Sequence, residues 1–170
     1  TYLARIRGER EKNIDEAVDH YRQALKVFTR LAFPEDWARV CNNLGNAYLA
    51  RIDPERTGIP EKMENANLAI RNYEQALTIR TKDSFPEDWA ETQSNLAGAE
   101  RIRASVEDLE HAIHHLEPVL EIYTRDALPQ HWARTHNNLA IIYTDRKQGE
   151  LAENIKQAVW HYQQALEVYT

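Results

Sequence analysis

Phe33-Pro34-Glu35-Asp36-Trp37-Ala38 returns as Phe85-Pro86-Glu87-Asp88-Trp89-Ala90 and again as Leu128-Pro129-Gln130-His131-Trp132-Ala133. An Asn-Leu pair follows each copy, as Asn43-Leu44, Asn95-Leu96 and Asn138-Leu139, and both landmarks recur at spacings of 52 and 43 residues. A second element occurs four times: Tyr21-Arg22-Gln23-Ala24-Leu25, Tyr73-Glu74-Gln75-Ala76-Leu77, Leu116-Glu117-Pro118-Val119-Leu120 and Tyr162-Gln163-Gln164-Ala165-Leu166. Each runs into a threonine four residues later: Thr29, Thr81, Thr124 and Thr170. Self-similarity at this period is the signature of a repeat architecture.

The spacing between elements separates fixed joints from tolerant ones. From each threonine to the next tryptophan is always 8 residues, whereas from the Asn of Asn-Leu to the residue opening the next element is 22, 13 and 16. A constant connection implies two helices docked in a set geometry; a variable one implies an exposed loop. In the tyrosine element, Ile14, Ala17, Val18, Tyr21, Ala24, Leu25 and Phe28 keep helical spacing, and Trp37, Val40, Cys41, Leu44, Ala47 and Tyr48 do so in the tryptophan element. The proline suits a first helical turn, and Glu35 and Asp36 favour its positive end. Asn13 with Glu16, and Asn154 with Gln157, have the spacing of capping boxes. Pro118 inside the third tyrosine-type element predicts a kink. Calling the tryptophan element helix A and the tyrosine element helix B, the expected order is B 13–30, A 34–51, B 61–82, A 86–103, B 105–125, A 129–146 and B 152–170. Residues 1–170 then form a single all-α segment of about three and a half repeats. Thr1–Ile6 matches Ala47–Ile52, the tail of a helix A, so the chain reads as part of a longer array.

Composition narrows the function classes. The 170 residues carry 21 basic and 27 acidic side chains, a formal charge of −6. With a pI near 5.7, this argues against a nucleic-acid phosphate track. Mean hydropathy is −0.70 and no apolar run approaches a membrane span, so no membrane partner is expected. One cysteine, Cys41, needs no oxidising compartment, and a cytoplasmic location is expected.

Leu44-Gly45-x-x-Tyr48 in helix A and Ala17-x-x-x-Tyr21-x-x-Ala24 in helix B resemble the tetratricopeptide repeat (TPR) helix pair. The period exceeds the usual ~34 residues. It is closer to the kinesin-light-chain type, which His131–Ala140 also resembles, and the Phe-Pro-Glu-Asp-Trp-Ala turn is similar to bacterial, notably cyanobacterial, arrays that sit beside CHAT-type peptidase or nucleotide-binding signalling modules. The resemblance implies an α-α superhelix, a TPR solenoid of antiparallel helix pairs. It also implies a non-enzymatic scaffold that binds protein or peptide in a concave groove lined by the A helices.

Within that resemblance, Asn43, Asn95 and Asn138 face the groove, where an amide can both donate to and accept from a peptide backbone. Neighbouring candidates are Arg39, Asn42 and Asn46 in the first copy, Glu91 and Ser94 in the second, and Arg134 and Asn137 in the third. Asn42, Ser94 and Asn137 fill slots where a carboxylate clamp would need cations, so a mixed-charge peptide, extended or helical, is expected. The same asparagines read equally as bonds between helices. The repeated tryptophans are read as inter-helix packing, and the Asp53–Pro60 insert as a surface loop. His111 and His115 lie four apart, but no third ligand has diagnostic spacing, so no metal is expected. No phosphate loop or nucleophile motif occurs, and no catalytic residue or cofactor is expected. The competing reading is a structural, regulatory or self-assembling segment of a larger signalling protein, associating head to tail through exposed repeat ends.

Overall fold

The computed structural model describes residues 2–55 and 57–169, with side chains from residue 8 onward. Thr1, Arg56, Thr170 and the side chains of the 1–6 match to helix A lie outside the described residues. Helices account for the secondary structure, with no strand among the described residues. The chain divides into two units, 1–81 and 82–170.

The first unit holds α1 (Tyr2–Val27), α2 (Pro34–Ala50) and α3 (Ile59–Leu77). The second holds α4 (Pro86–Arg103), α5 (Val106–Leu116), a 3-10 turn at Glu117–Glu121, α6 (Pro129–Asp145) and α7 (Leu151–Tyr169). Within each unit every helix packs on the next one in sequence.

The three tryptophan turns have one conformation. The residue before each proline has φ/ψ of −140/66, −141/66 and −137/62 degrees, at Phe33, Phe85 and Leu128. Its carbonyl accepts the first helical bond from the tryptophan N–H at 2.8, 2.8 and 2.9 Å. A cation beside the turn covers each indole: Arg30 lies 5.8 Å from Trp37, Lys82 5.6 Å from Trp89 and Arg125 5.9 Å from Trp132. Below them, Trp37 packs with Ala38, Cys41 and Ala76, and Trp89 with Ala90, Val119 and Tyr123. The indoles therefore serve the joint between helices.

Several expected boundaries move. α1 does not begin at 13 but runs unbroken from Tyr2 and stops at Val27; residues 7–12 hold one glycine, no proline and five good helix formers, so nothing there breaks the helix. Asn13 consequently sits in mid-helix and caps nothing. Asn154 lies inside α7, which starts at Leu151, and is not a cap either. It is buried, its Oδ1 accepts from Arg146 Nη1 at 3.2 Å, and its Nδ2 donates to the Gln148 carbonyl at 2.9 Å, tying the α6–α7 loop down. The box that does form is Ser105 with Asp108, at the start of α5. The helix expected to 82 ends at Leu77. The one expected over 105–125 gives way at Glu117 to the 3-10 turn, where Pro118 withholds a donor.

Candidate functional site

Within the first unit, α1 and α2 wall an open cleft of about 670 Å³. Its floor is Ile14, Ala17 and Tyr21 from α1 with Ala47 and Ala50 from α2, and Asn13, Asn43 and Asn46 carry amides to its rim. Asn43 is half-buried and Asn46 exposed. The Asn46 Oδ1 accepts from the Tyr73 hydroxyl at 2.7 Å, which leaves its NH2 to bond outward. Two of the asparagines expected at a binding surface therefore share one cleft. Asn13 joins them on the opposite wall, a role hidden by reading it as a helix cap.

The other candidates fall in different surroundings. Asn42 is 1% exposed, so its amide is inside the packed unit and out of reach of a surface-bound peptide, a correction to its placing on the groove. Ser94 is corrected likewise: it is buried, and its hydroxyl donates to the Ala90 carbonyl at 2.8 Å, one turn back in α4. Arg39 is exposed but pairs with Asp36 on its own helix. In the second unit, Arg134 is exposed with Nη2 3.2 Å from His131 Nδ1, while Glu91, Asn95, Asn137 and Asn138 are half-buried on α4 and α6.

A second cleft of the first unit, about 600 Å³, has charged walls of both signs. Arg51 meets Asp15 at 2.7 Å, and Arg22 donates to the Tyr48 hydroxyl at 2.9 Å. Asp53 and Thr57 of the insert line it too; the loop is closed by the Asp53 N–H donating to Thr57 Oγ1 at 2.8 Å.

Burial pushes the Cys41 thiol up to about 11, so it stays protonated at neutral pH. His111 is exposed, and His115 Nε2 lies 3.6 Å from Glu100 Oε1. Among the described residues no group of three or more His, Cys, Asp and Glu is placed to hold a metal ion. No helix among them is long and apolar enough to cross a membrane.

One cluster was not anticipated. His136 of α6 and His161 of α7 are buried with their Nδ1 atoms 2.8 Å apart. Trp132, Trp160 and Tyr143 surround them, with ring centroids at 4.4 Å from His136 to Trp132 and 5.5 Å from His161 to Tyr143. One imidazole donates and the other accepts, and burial pushes both below the ordinary histidine range, His161 to about 4. The available signal was positional: His136 stands where the other copies have Cys41 and Gln93.

No family model, curated protein or solved structure matches the chain.

Proposed function

We propose that the chain is a non-enzymatic, cytoplasmic scaffold of the tetratricopeptide class, an α-α superhelix that binds a protein or peptide through its A-class helices α2, α4 and α6. The observation that carries this reading is the Asn43–Asn46 pair of α2 at the rim of an open, apolar-floored cleft. An amide at a cleft rim can both donate to and accept from a chain that docks there. The repeat supports the same reading, because Asn95 and Asn138 hold the corresponding positions of α4 and α6 and are half-buried. The test is affinity enrichment from a bacterial lysate with the native chain and an Asn43→Ala, Asn95→Ala, Asn138→Ala variant of equal helicity. A protein retained by the native form and lost by the variant supports the reading; identical retention by both removes it.

The second reading, a self-assembling or regulatory segment beside a CHAT-type peptidase or nucleotide-binding module, rests on α7. Ile155, Val159, Leu166 and Tyr169 recur on one helical face and are 52, 48, 56 and 54% exposed. Such a stripe is suited to association between copies. Molar mass that rises with concentration, and ceases to rise in Val159→Glu, favours this reading.

A further inference from the structure

The buried His136–His161 pair is coupled to an ion pair on the surface. Arg125, in the turn that leads into α6, meets Glu167 of α7 with Nη1 2.6 Å from Oε2. The same guanidinium covers Trp132 at 5.9 Å, and the Trp132 ring lies edge-on to His136 at 4.4 Å. Two ties thus join the entry of α6 to α7: Arg125–Glu167 outside, and the imidazoles inside, with their Nδ1 atoms 2.8 Å apart. Burial disfavours the charged form of His136, and the Glu167 carboxylate favours it. At His161 burial and the charge of His136 both act against protonation.

The other charged groups around the pair are engaged elsewhere. On α6, Arg134 lies on His131. The Tyr143 hydroxyl feels Glu117 of the 3-10 turn, Glu110 of α5 and Arg146, which itself donates to Glu110 at 2.8 Å. On α4, Glu100 lies beside His115 of α5, and Arg101 pairs with Asp145.

Proton counting orders the events. In the neutral pair each imidazole holds one proton, and one of the two lies in the Nδ1–Nδ1 bond. A first added proton makes His136, the ring that Glu167 favours, an imidazolium that donates to His161 Nδ1. A second goes to His161 Nδ1, turns both facing atoms into donors and breaks the bond.

We propose that Glu167 is a carboxylate shared between Arg125 and His136, and that charging His136 draws it off Arg125 and opens the outer tie, an acid-operated switch in the second unit. The Arg125 and Glu167 side chains are 56% and 40% exposed, so water screens their attraction. A cation inside the aromatic box is screened less and competes well for the same carboxylate. The switch is complete when the second proton parts the rings, a step that burial and the His136 charge hold down to about 4.

The test is an NMR titration of isotope-labelled histidine side chains in the intact chain, from pH 7.5 to 4 at low ionic strength. Glu167→Gln should lower the His136 midpoint, and Arg125→Gln, which frees Glu167, should raise it, each by about 0.3 pH unit or more. Arg125→Gln added to Glu167→Gln should shift nothing further, because Arg125 acts on the pair only through Glu167. Absence of either shift, shifts of the same sign, or an Arg125→Gln shift that persists beside Glu167→Gln overturns the sharing. Loss of the native α4–α7 amide signals before His136 titrates overturns the switch and leaves the pair a packing element. Both variants replace exposed residues, and unchanged amide signals of α2 and α3 show that the chain stays folded over the range.

Discussion

The ring of Tyr73 in α3 lies on the bare backbone of Gly45 in α2, so close that a methyl group at Gly45 would meet Cε1 at 2.5 Å. In the second unit the matching pair is Ala97 and Leu116, both fully buried in one core. The repeat thus uses two volume-matched solutions, large over none and medium over small. Gly45→Ala is expected to cost about 1–3 kcal/mol of stability by overpacking. Adding Tyr73→Leu should recover most of that loss, despite sacrificing the bond to Asn46. Thermal melts of the single and double variants check both, and additive losses would show the pairing to be wrong.

The His136–His161 pair predicts acid sensitivity of the second unit. Tyr143 of α6 and Glu167 of α7 are the other titratable groups facing it, with Trp132 and Trp160 closing the apolar sides. Burial depresses both folded-state pKa values, so below about 6.5 the unfolded chain takes up protons that the folded unit refuses. The stabilisation is fully present above that pH. It falls as pH drops towards about 4, the folded value for His161, and levels off below. The loss from His161 is on the order of 3 kcal/mol. His161→Asn, the residue its repeat equivalent Asn72 carries, should flatten this dependence in melts taken between pH 7.5 and 4.

The α4–α5 joint predicts changes of opposite sign at adjacent residues. Ala104 ends α4 in a left-handed conformation, φ 54°, with its N–H on the Glu100 carbonyl at 3.0 Å. Ala104→Gly removes the Cβ conflict and should stabilise by about 0.5–1 kcal/mol.

Ser105→Ala should instead destabilise by about 1 kcal/mol. The Ser105 hydroxyl donates to Asp108 Oδ2 at 2.6 Å and accepts from the Asp108 N–H at 3.0 Å. Although burial raises the Asp108 carboxyl, hydrogen bonds from Ser105 and Arg103 and the charge of Arg103 hold it below the ordinary carboxylate range. Loss of the hydroxyl should therefore also raise the Asp108 pKa, measurable by NMR titration.

The repeat made the helices and their joints legible before any coordinates. The Pro-Trp turns recur with one conformation because the proline and the packed indole favour the same entry in all three copies, while the acidic first-turn residues add to it in α2 and α4 only. Helix ends were less legible where tertiary contacts decide them. Nothing local marks Asn154 as a loop anchor rather than a cap, and α1 runs through the place where the other copies break only because its charged residues permit it. Of the candidate site, Asn43 was visible as a repeated amide and Asn46 as its neighbour on the same helix face, but their α1 partners were not. Those come from the packing of α1 on α2. Asn42 was misread because a side chain one position along a helix points about 100° away, here into the core.

The measurement that bears most directly on binding through the A-class helices is site-specific photocrosslinking. A benzophenone side chain would replace Asn46 at the cleft rim and, as control, exposed Glu74 on α3. With both proteins shown to be equally helical, the account predicts that a partner recovered from lysate crosslinks through position 46 and not through position 74. Equal crosslinking at both positions, or at 74 alone, would contradict it.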